Sequence, residues 1–427
     1  MIRDQPGLPL TQAQTGVLLG QQLAGEASVF YAAEYTELDG PLDYELFTQA
    51  LQATLREADA LQVRIVEMDG AYRQQRIEHR PPTLAAAPAE QLSQTAFMAE
   101  LFRQLQQAFN PAAGYLYEHK LYRRGAERHV WLHRAHHLLL DGYGFQLIAR
   151  RVAVYYEALL SGKPLAAAAF GTLDAILEVD QAYQNSFDRE DDRRYWLAEL
   201  AGLQPKSLSP HPTPGIGRGR RFSGALPDAV CLSLKRRALE LELSWPELLI
   251  AAFAGYLARY GYGRDTVLGL TTMLRASGAV ARTPCSAMNV MPLPFRQVEE
   301  LDLANAARRL RRDLARHRPH QRYRFEHLEF DLKDAGYPRG LLGTEINVMP
   351  FEPPSRFGPC RALTHTLAAG PVEDLAAVFM ARGDAIVLDL DGREENYDES
   401  TLRRHWLGIT DFLAQALESC QSPDPST

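Results

Sequence analysis

The run His136-His137-Leu138-Leu139-Leu140-Asp141-Gly142-Tyr143-Gly144 constrains this chain more than any other stretch. It follows a strand-like segment, Val130 to Ala135, and precedes a helical pattern from Phe145 to Val152. Two imidazoles therefore stand where a rigid strand ends and a loop turns into a helix, a place that holds a side chain at an open edge. Asp141 lies four residues beyond His137, and Gly142 after it permits a tight backbone. With an ordinary pKa of about 6.5, a histidine there can accept a proton near neutral pH. A metal site would need a further ligand at helical or hairpin spacing. His133 is the only close candidate, and no His-Glu-x-x-His or Cys-x-x-Cys pattern accompanies it, so no metal is expected.

Length and charge narrow the partners. At 427 residues the chain is too long for one small core, which predicts two lobes, 1–175 and 176–427. A net charge of −7 argues against nucleic acid, which wants a basic face. One basic run, Arg308-Arg309-Leu310-Arg311-Arg312, flanks an apolar stripe through Leu310 and Leu314; it reads as a solvated helix face or as a surface for an acidic carrier protein. Cys231, Cys285, Cys360 and Cys420 are too scattered for a disulfide framework or a zinc site. No run reaches membrane-spanning length and the N-terminus lacks a signal-peptide core, so the expected location is cytoplasmic.

Along the chain, helical and strand patterns alternate, which predicts an α/β fold. Thr11 and Gln14 form a capping box, Asp43 caps a second helix, and Ser244 and Glu247 form another box ahead of an apolar helix from Leu248 to Tyr260. Tyr115 to Leu121 and Val130 to Ala135 read as a hairpin through Arg124-Gly125, placing His119, His129 and His133 on strand faces. A linking helix is expected over 172–195, and a long loop over 203–219. The echo between Asn289-Val290-Met291-Pro292 and Asn347-Val348-Met349-Pro350 suggests two paired strands. The polar tail from Ser419 to Thr427 reads as disordered.

The string H-H-x-x-x-D-G resembles the signature of the condensation-domain superfamily, which includes chloramphenicol acetyltransferase-like acyltransferases and condensation domains of nonribosomal peptide synthetases. Further blocks resemble the family in the same order: Leu10-Thr11-Gln12-Ala13-Gln14-Thr15-Gly16, Tyr195 to Leu203, and Asn289-Val290-Met291-Pro292-Leu293. His320 to Tyr323 and Leu363 to Leu375 are similar to the condensation domain opening enterobactin-type synthetases, and so to starter domains taking a non-peptidyl donor. The resemblance implies two chloramphenicol acetyltransferase-like lobes in a V-shaped pseudo-dimer with a central tunnel. It also implies a tunnel floor over 271–288 and a crossover latch near 364–376. Two departures stand out. Gln62 occupies the place of an expected Arg, which transfers the pairing of Asp141 to Arg275 across the lobes, with Arg64 second. Gly144 replaces a common Ser, which favours backbone N–H donors for the oxyanion.

These readings lead to an amide-forming acyltransferase. An acyl or aryl thioester would be attacked by the amine of an aminoacyl-carrier protein, in lipopeptide or siderophore synthesis. His137 would contact the attacking nitrogen and the Gly142 N–H the thioester oxygen. His136, Asp141 and Arg275 would hold the loop, while Tyr143, Gly144, Asn289, Glu373 and Asp374 are candidates for lining the substrate. No cofactor is expected; phosphopantetheine or coenzyme A thioesters would deliver the substrates, and a neighbouring adenylation domain would activate them. A peptidyl-donor condensation domain, a free-standing coenzyme A-dependent N-acyltransferase, an epimerase relative using Glu373 and a silent scaffold are the competing readings. An excised synthetase domain is favoured over a free-standing protein.

Overall fold

The computed structural model describes residues 7–78, 84–112, 114–204, 206–213, 215–275, 278, 280–297, 302–337 and 342–420. The expected disorder of the tail therefore lies, from residue 421 on, outside the described residues, as do Met1 to Pro6, where a signal peptide was sought, and Ala276, Ser277 and Ala279 of the predicted floor.

The fold is α/β and divides into two compact units, but not by a single cut at 175. The first comprises Met1–Asn185, Arg275–Met288 and Pro353–Pro371; the second holds Ser186–Leu274, Asn289–Glu352 and Val372–Thr427. The predicted linking helix is two helices, Leu173–Gln184 and Asp188–Glu199, and the division falls in the break between them. Two later segments return to the first unit because of what they bond. Strand Cys360–Ala369 pairs antiparallel with Tyr31–Asp39, and Arg275 reaches Asp141.

The main sheet of the first unit has six strands in the order Arg356–Phe357, Cys360–Ala369, Tyr31–Asp39, Arg128–His136, Tyr117–Arg123, Ala86–Pro88. The predicted hairpin is there, with Arg123 opposite His129 and Tyr117 opposite Ala135. One sheet face and helices Tyr44–Glu57 and Gly142–Leu160 share a core of Leu38, Phe47, Leu51, Trp131, Phe145 and Ile148. Removing such side chains from water, at roughly 25 cal/mol per Å² of apolar surface, is what fixes the strand-to-helix junction. Both expected caps close: Thr11 accepts from the Gln14 N–H while Gln14 accepts from Thr11, and Asp43 accepts from the Leu46 N–H.

The second unit carries its own six-stranded sheet, ordered Asn289–Phe295, Thr266–Thr272, Thr344–Met349, Leu375–Arg382, Ala385–Arg393, Gly219–Ala225. The two echo strands are not partners. Thr266–Thr272 lies between them, antiparallel to one and parallel to the other. Pro292 and Pro294 explain the placement: proline cannot donate to a ladder, and Asn289–Phe295 is an edge strand. Helix Trp245–Leu257 keeps its Ser244/Glu247 box and buries every side chain from Leu248 on, as its apolar run requires. Leu232 to Leu234 lie inside helix Asp228–Glu240, and strand Gly219–Ala225 precedes it. The basic run forms helix Leu303–His317, where Arg311 pairs with Glu247 and Arg309 with Asp313.

Candidate active site

Strand Arg128–His136 ends at the motif and helix Gly142–Leu160 begins after it. The intervening leucines are the reason the loop holds still: Leu138, Leu139 and Leu140 are 3% exposed or less. His136 is wholly buried and both ring nitrogens are assigned. Nδ1 accepts from the Leu138 N–H at 3.1 Å, so Nε2 donates to Gln21 Oε1 at 2.7 Å. Burial pushes its pKa down to about 3. A neutral, doubly bonded ring of this kind braces the loop.

His137 turns the other way. It is 7% exposed, and its backbone N–H donates to the Phe30 carbonyl at 2.9 Å. Its Nε2 lies 3.2 Å from the Ala369 carbonyl, which can only accept. Burial lowers its pKa; the Ala369 carbonyl, the Asp141 charge and the Leu140 carbonyl oppose that shift. The net result is an imidazole that is neutral near pH 7, the form able to take a proton.

Asp141 caps the helix and anchors the loop below it. One carboxylate oxygen accepts from the Gly144 N–H at 2.8 Å; the other accepts from the Ala287 and Met288 N–H groups at 3.0 and 3.2 Å. Arg275 donates to both oxygens at 2.8 and 2.9 Å, with only 1% and 3% of the two side chains exposed. The same guanidinium donates to the carbonyls of Val280, Thr283 and Cys285, so the residue that pairs with Asp141 also holds this stretch beside the motif. Arg275 thus takes the partner role expected of it, within the first unit rather than across two lobes. Arg64 bonds Gln75 instead, and Gln62, in the place of the expected Arg, donates to the Leu55 and Arg56 carbonyls at the end of a helix.

Gly142 is the first residue of a 19-residue helix. Its N–H belongs to the first turn, where no helical carbonyl can reach it and the helix dipole favours negative charge. A Cβ at this position would meet nothing within 4 Å, so the glycine answers no steric demand of the protein. The reason offered from sequence, a tight backbone, does not hold, because Gly142 is not among the positive-φ glycines. Gly144 does not line open space either. It is buried, its N–H is spent on Asp141, and a Cβ would lie 2.5 Å from Leu140. A serine there would require the Leu140 side chain to shift.

The chain matches the family model described as Condensation domain over residues 4–426. The chain belongs to the condensation-domain family. Members of this family are the amide-bond-forming acyltransferases of nonribosomal peptide synthetases. The domain is 34% identical over 418 residues to a dimodular nonribosomal peptide synthase of Bacillus subtilis (strain 168), covering 95% of this chain and 17% of the relative. An isonitrile lipopeptide synthase of Streptomyces coeruleorubidus is also 34% identical, over 96% of this chain and 28% of the relative. Enterobactin synthase component F of Escherichia coli (strain K12) is 30% identical, over 96% and 32%. The domain thus spans a third or less of the length of these curated relatives. Among solved structures, a mutant starter condensation domain of rhizomide synthetase in complex with C8-CoA superposes with a TM-score of 0.89 at 30% identity, covering 99% of this chain and 97% of that one.

Within this condensation domain, the remaining sequence candidates divide. Tyr143 packs its ring beside Arg275, whose guanidinium carbon is 5.3 Å from the ring centroid. Asn289, Glu373 and Asp374 belong to the second unit. Asn289 is 2% exposed and saturated: it donates to the Gln321 and Tyr323 carbonyls and accepts from the Phe325 N–H. Asp374 accepts from Asn396 and from the Tyr397 hydroxyl. Both side chains do the sheet-end bonding that competes with a binding role. Glu373 is different, for its buried Oε2 has no partner among the described residues; burial, then Glu329 and Glu345, raise its pKa well above the usual carboxylate range. The sequence reasoning missed Gln21, Ala369 and Gly370. Gln21 carries no local signal, whereas Ala369-Gly370-Pro371 lies inside a block that already resembled the family. Among the described residues no cluster of His, Cys, Asp and Glu is arranged for a metal ion, and no helix is long and apolar enough to cross a membrane.

Proposed function

We propose that this is a starter-type condensation domain, joining an acyl or aryl thioester to the amine of an aminoacyl group on a carrier protein. The observation that carries the reading is the similarity, over 99% of the chain, to a starter domain in complex with C8-CoA. The donor arrives on coenzyme A or on a carrier protein, the acceptor on a second carrier loaded by a neighbouring adenylation domain, and the setting is cytoplasmic. The amine attacks the thioester carbonyl. His137 takes the proton from nitrogen, the oxyanion rests against the Gly142 N–H at the helix N-terminus, and collapse expels the thiolate, which takes the proton from His137. His136, Asp141 and Arg275 hold the loop and touch no reacting atom. Tyr143 walls the approach above Arg275; in the second unit, Glu373 with its unpartnered oxygen is the candidate for a substrate contact.

The test is intact-mass detection of acyl transfer onto an aminoacyl-loaded carrier. Donors are a panel of acyl-coenzyme A thioesters, an aryl-loaded carrier and a peptidyl-loaded carrier. Product from acyl-coenzyme A or the aryl carrier, lost in His137→Ala, is expected. Product from the peptidyl carrier alone would refute the starter assignment.

A further inference from the structure

The strand that leads to His137 carries, four residues earlier, a buried polar group that the reaction does not use. His133 is 0% exposed, and neither of its ring nitrogens has a hydrogen-bond partner among the described residues. It stands in register between Glu34 on one neighbouring strand and His119 on the other, so the three side chains cross the sheet in one row. Glu34 Oε2 lies 3.5 Å from His133 Nε2, too far for a good hydrogen bond. His119 Nδ1 and the Tyr117 hydroxyl are likewise buried and without a partner among the described residues. Native interiors pair nearly every such atom, so several orphans side by side call for a guest that hydrogen-bonds.

The place of the row says which guest. Phe145 stands three residues beyond Gly142 on helix Gly142–Leu160, hence on the same helix face, and its ring meets the His133 ring edge-on at 5.0 Å. Between the row and the end of the strand, the same sheet face carries Ala32 paired with Ala135, and Tyr117 on the far side of Ala135. A donor whose thioester oxygen rests at Gly142 therefore extends its acyl body along this face, past two methyl groups, toward His133. We infer that His133, with Glu34 and His119, forms a subsite for a donor whose acyl group is a hydroxylated aromatic ring. This rests on the proposed function, which sets the thioester at Gly142, and it names the substrate class. A hydroxyl both donates and accepts, as a neutral imidazole does, so one ring hydroxyl can bond His133 and Glu34 together. An alkyl chain would leave these atoms unpaired, and an anionic group would face Glu34. Burial holds His119 down to about 3 and His133 well below its ordinary value, so both rings stay neutral and offer an anion no charge. The rings of His119, Trp131 and His133 lie within 24° of parallel and Phe145 stands across them, an aromatic surround suited to another ring.

Paired donors given to the whole chain decide this. Benzoyl, the three hydroxybenzoyl isomers and octanoyl are each offered on coenzyme A and on a carrier protein, with an aminoacyl-loaded carrier as acceptor. By intact mass, the best hydroxybenzoyl donor is expected to exceed benzoyl in kcat/KM by roughly 10²-fold or more, with octanoyl no better than benzoyl. His133→Phe keeps a ring in place and removes both nitrogens. It is expected to bring the hydroxybenzoyl-to-benzoyl ratio to within about 3-fold of one. A merely structural His133 would slow every donor alike and leave the ratio standing. That result, or equal rates for benzoyl and all three isomers in the unaltered chain, overturns the inference and leaves ordered water as the partner of the row. If His133→Phe misfolds, Tyr117→Phe removes one buried hydroxyl at constant shape and should lower the same ratio by about 3-fold or more; an unmoved ratio overturns the inference there too. Octanoyl preferred over every aryl donor overturns the subsite and leaves the starter assignment standing. Product from a peptidyl carrier alone overturns the starter assignment, and the subsite with it.

Discussion

The strand–loop–helix that carries His137 has a counterpart in the second unit. Hairpin Tyr117–Arg123/Arg128–His136 leads through residues 137–141 into helix Gly142–Leu160; hairpin Leu375–Arg382/Ala385–Arg393 leads through 394–398 into helix Glu399–Ser419. Each loop ends in an aspartate that caps the helix by accepting from the N–H three residues on, Gly144 at 2.8 Å and Thr401 at 2.7 Å. Local geometry is thus shared. The surroundings are not. Asp141 is 2% exposed and faces Arg275, while Asp398 lies open to solvent. The 137–141 loop is buried throughout, whereas Glu394 and Glu395 stand in water. What makes one junction a candidate for chemistry is the enclosure by the 275–288 loop and by the strand end at Ala369. The strand, cap and helix alone do not.

The sharpest way to break this comparison is at the first residue of each loop. His137→Ala is expected to cut amide formation by roughly 10²–10⁴-fold, the usual range for losing a general acid–base group, with thermal unfolding little changed. Glu394→Ala, at the matching position of the exposed loop, should leave the rate untouched in the same intact-mass assay. Equal losses from both would mean that the junctions matter only as structure.

Next comes the ion pair. Arg275→Ala leaves the Asp141 carboxylate buried without its counter-charge, a loss expected to cost about 3–5 kcal/mol in denaturant unfolding of the first unit. The double change Asp141→Asn with Arg275→Met should cost less than the sum of its parts, because each single change strands the other partner. Strict additivity would show that the 275–288 loop is held by its carbonyl bonds alone.

Buried histidines and a buried carboxylate predict opposite pH responses. In the first unit, burial pushes His119 and His136 down to about 3 and His133 well below its usual value. Their unfolded values lie near 6.5, so the unfolded chain binds more protons in between. The stability they contribute is complete above that value and is lost as pH falls from there toward 3. In the second, burial raises Glu345 to about 7, helped by Glu329. Its unfolded value lies near 4.5, so the unfolded chain now loses its proton first, and stability falls as pH rises from there through about 7. Glu345→Gln should flatten that alkaline decline, by on the order of 1 kcal/mol at pH 8, and leave the acid limb alone. Fluorescence-detected unfolding from pH 4 to 9 separates the two, and a flat wild-type profile above pH 6 would contradict the buried carboxylate.

Much of the first junction was legible because its causes are local. The capping aspartate, the apolar loop and the alternation of the preceding strand are all encoded within a dozen residues, and the family blocks fixed the fold around them. The return of 275–288 and 353–371 to the first unit was not, since no local pattern says which sheet a distant strand will join. Arg275 was found only through the missing arginine at Gln62. Gln21 and Ala369 act through a side chain and a carbonyl that any loop could supply, so nothing in their own residue types marks them. Asn289 and Asp374 show the ambiguity from the other side. Polar side chains at strand ends look the same in sequence whether they bond a substrate or, as here, neighbouring backbone and side chains.

The smallest expected effect tests the shared part of the comparison. Asp398→Ala removes the cap from helix Glu399–Ser419, where the carboxylate accepts from Thr401 N–H and from the Ser400 hydroxyl. Water can satisfy the freed donor, because this helix end is exposed. The change should lower the thermal midpoint by roughly 1–3 °C and leave amide formation as it was. Asp141→Ala removes the same cap from the other helix, but there the freed Gly144 N–H is enclosed and Arg275 is stranded. Its drop should be several times larger and should carry activity with it. If the two losses matched, the cap would account for all that Asp141 does, and the enclosure would have no part in making the junction a site.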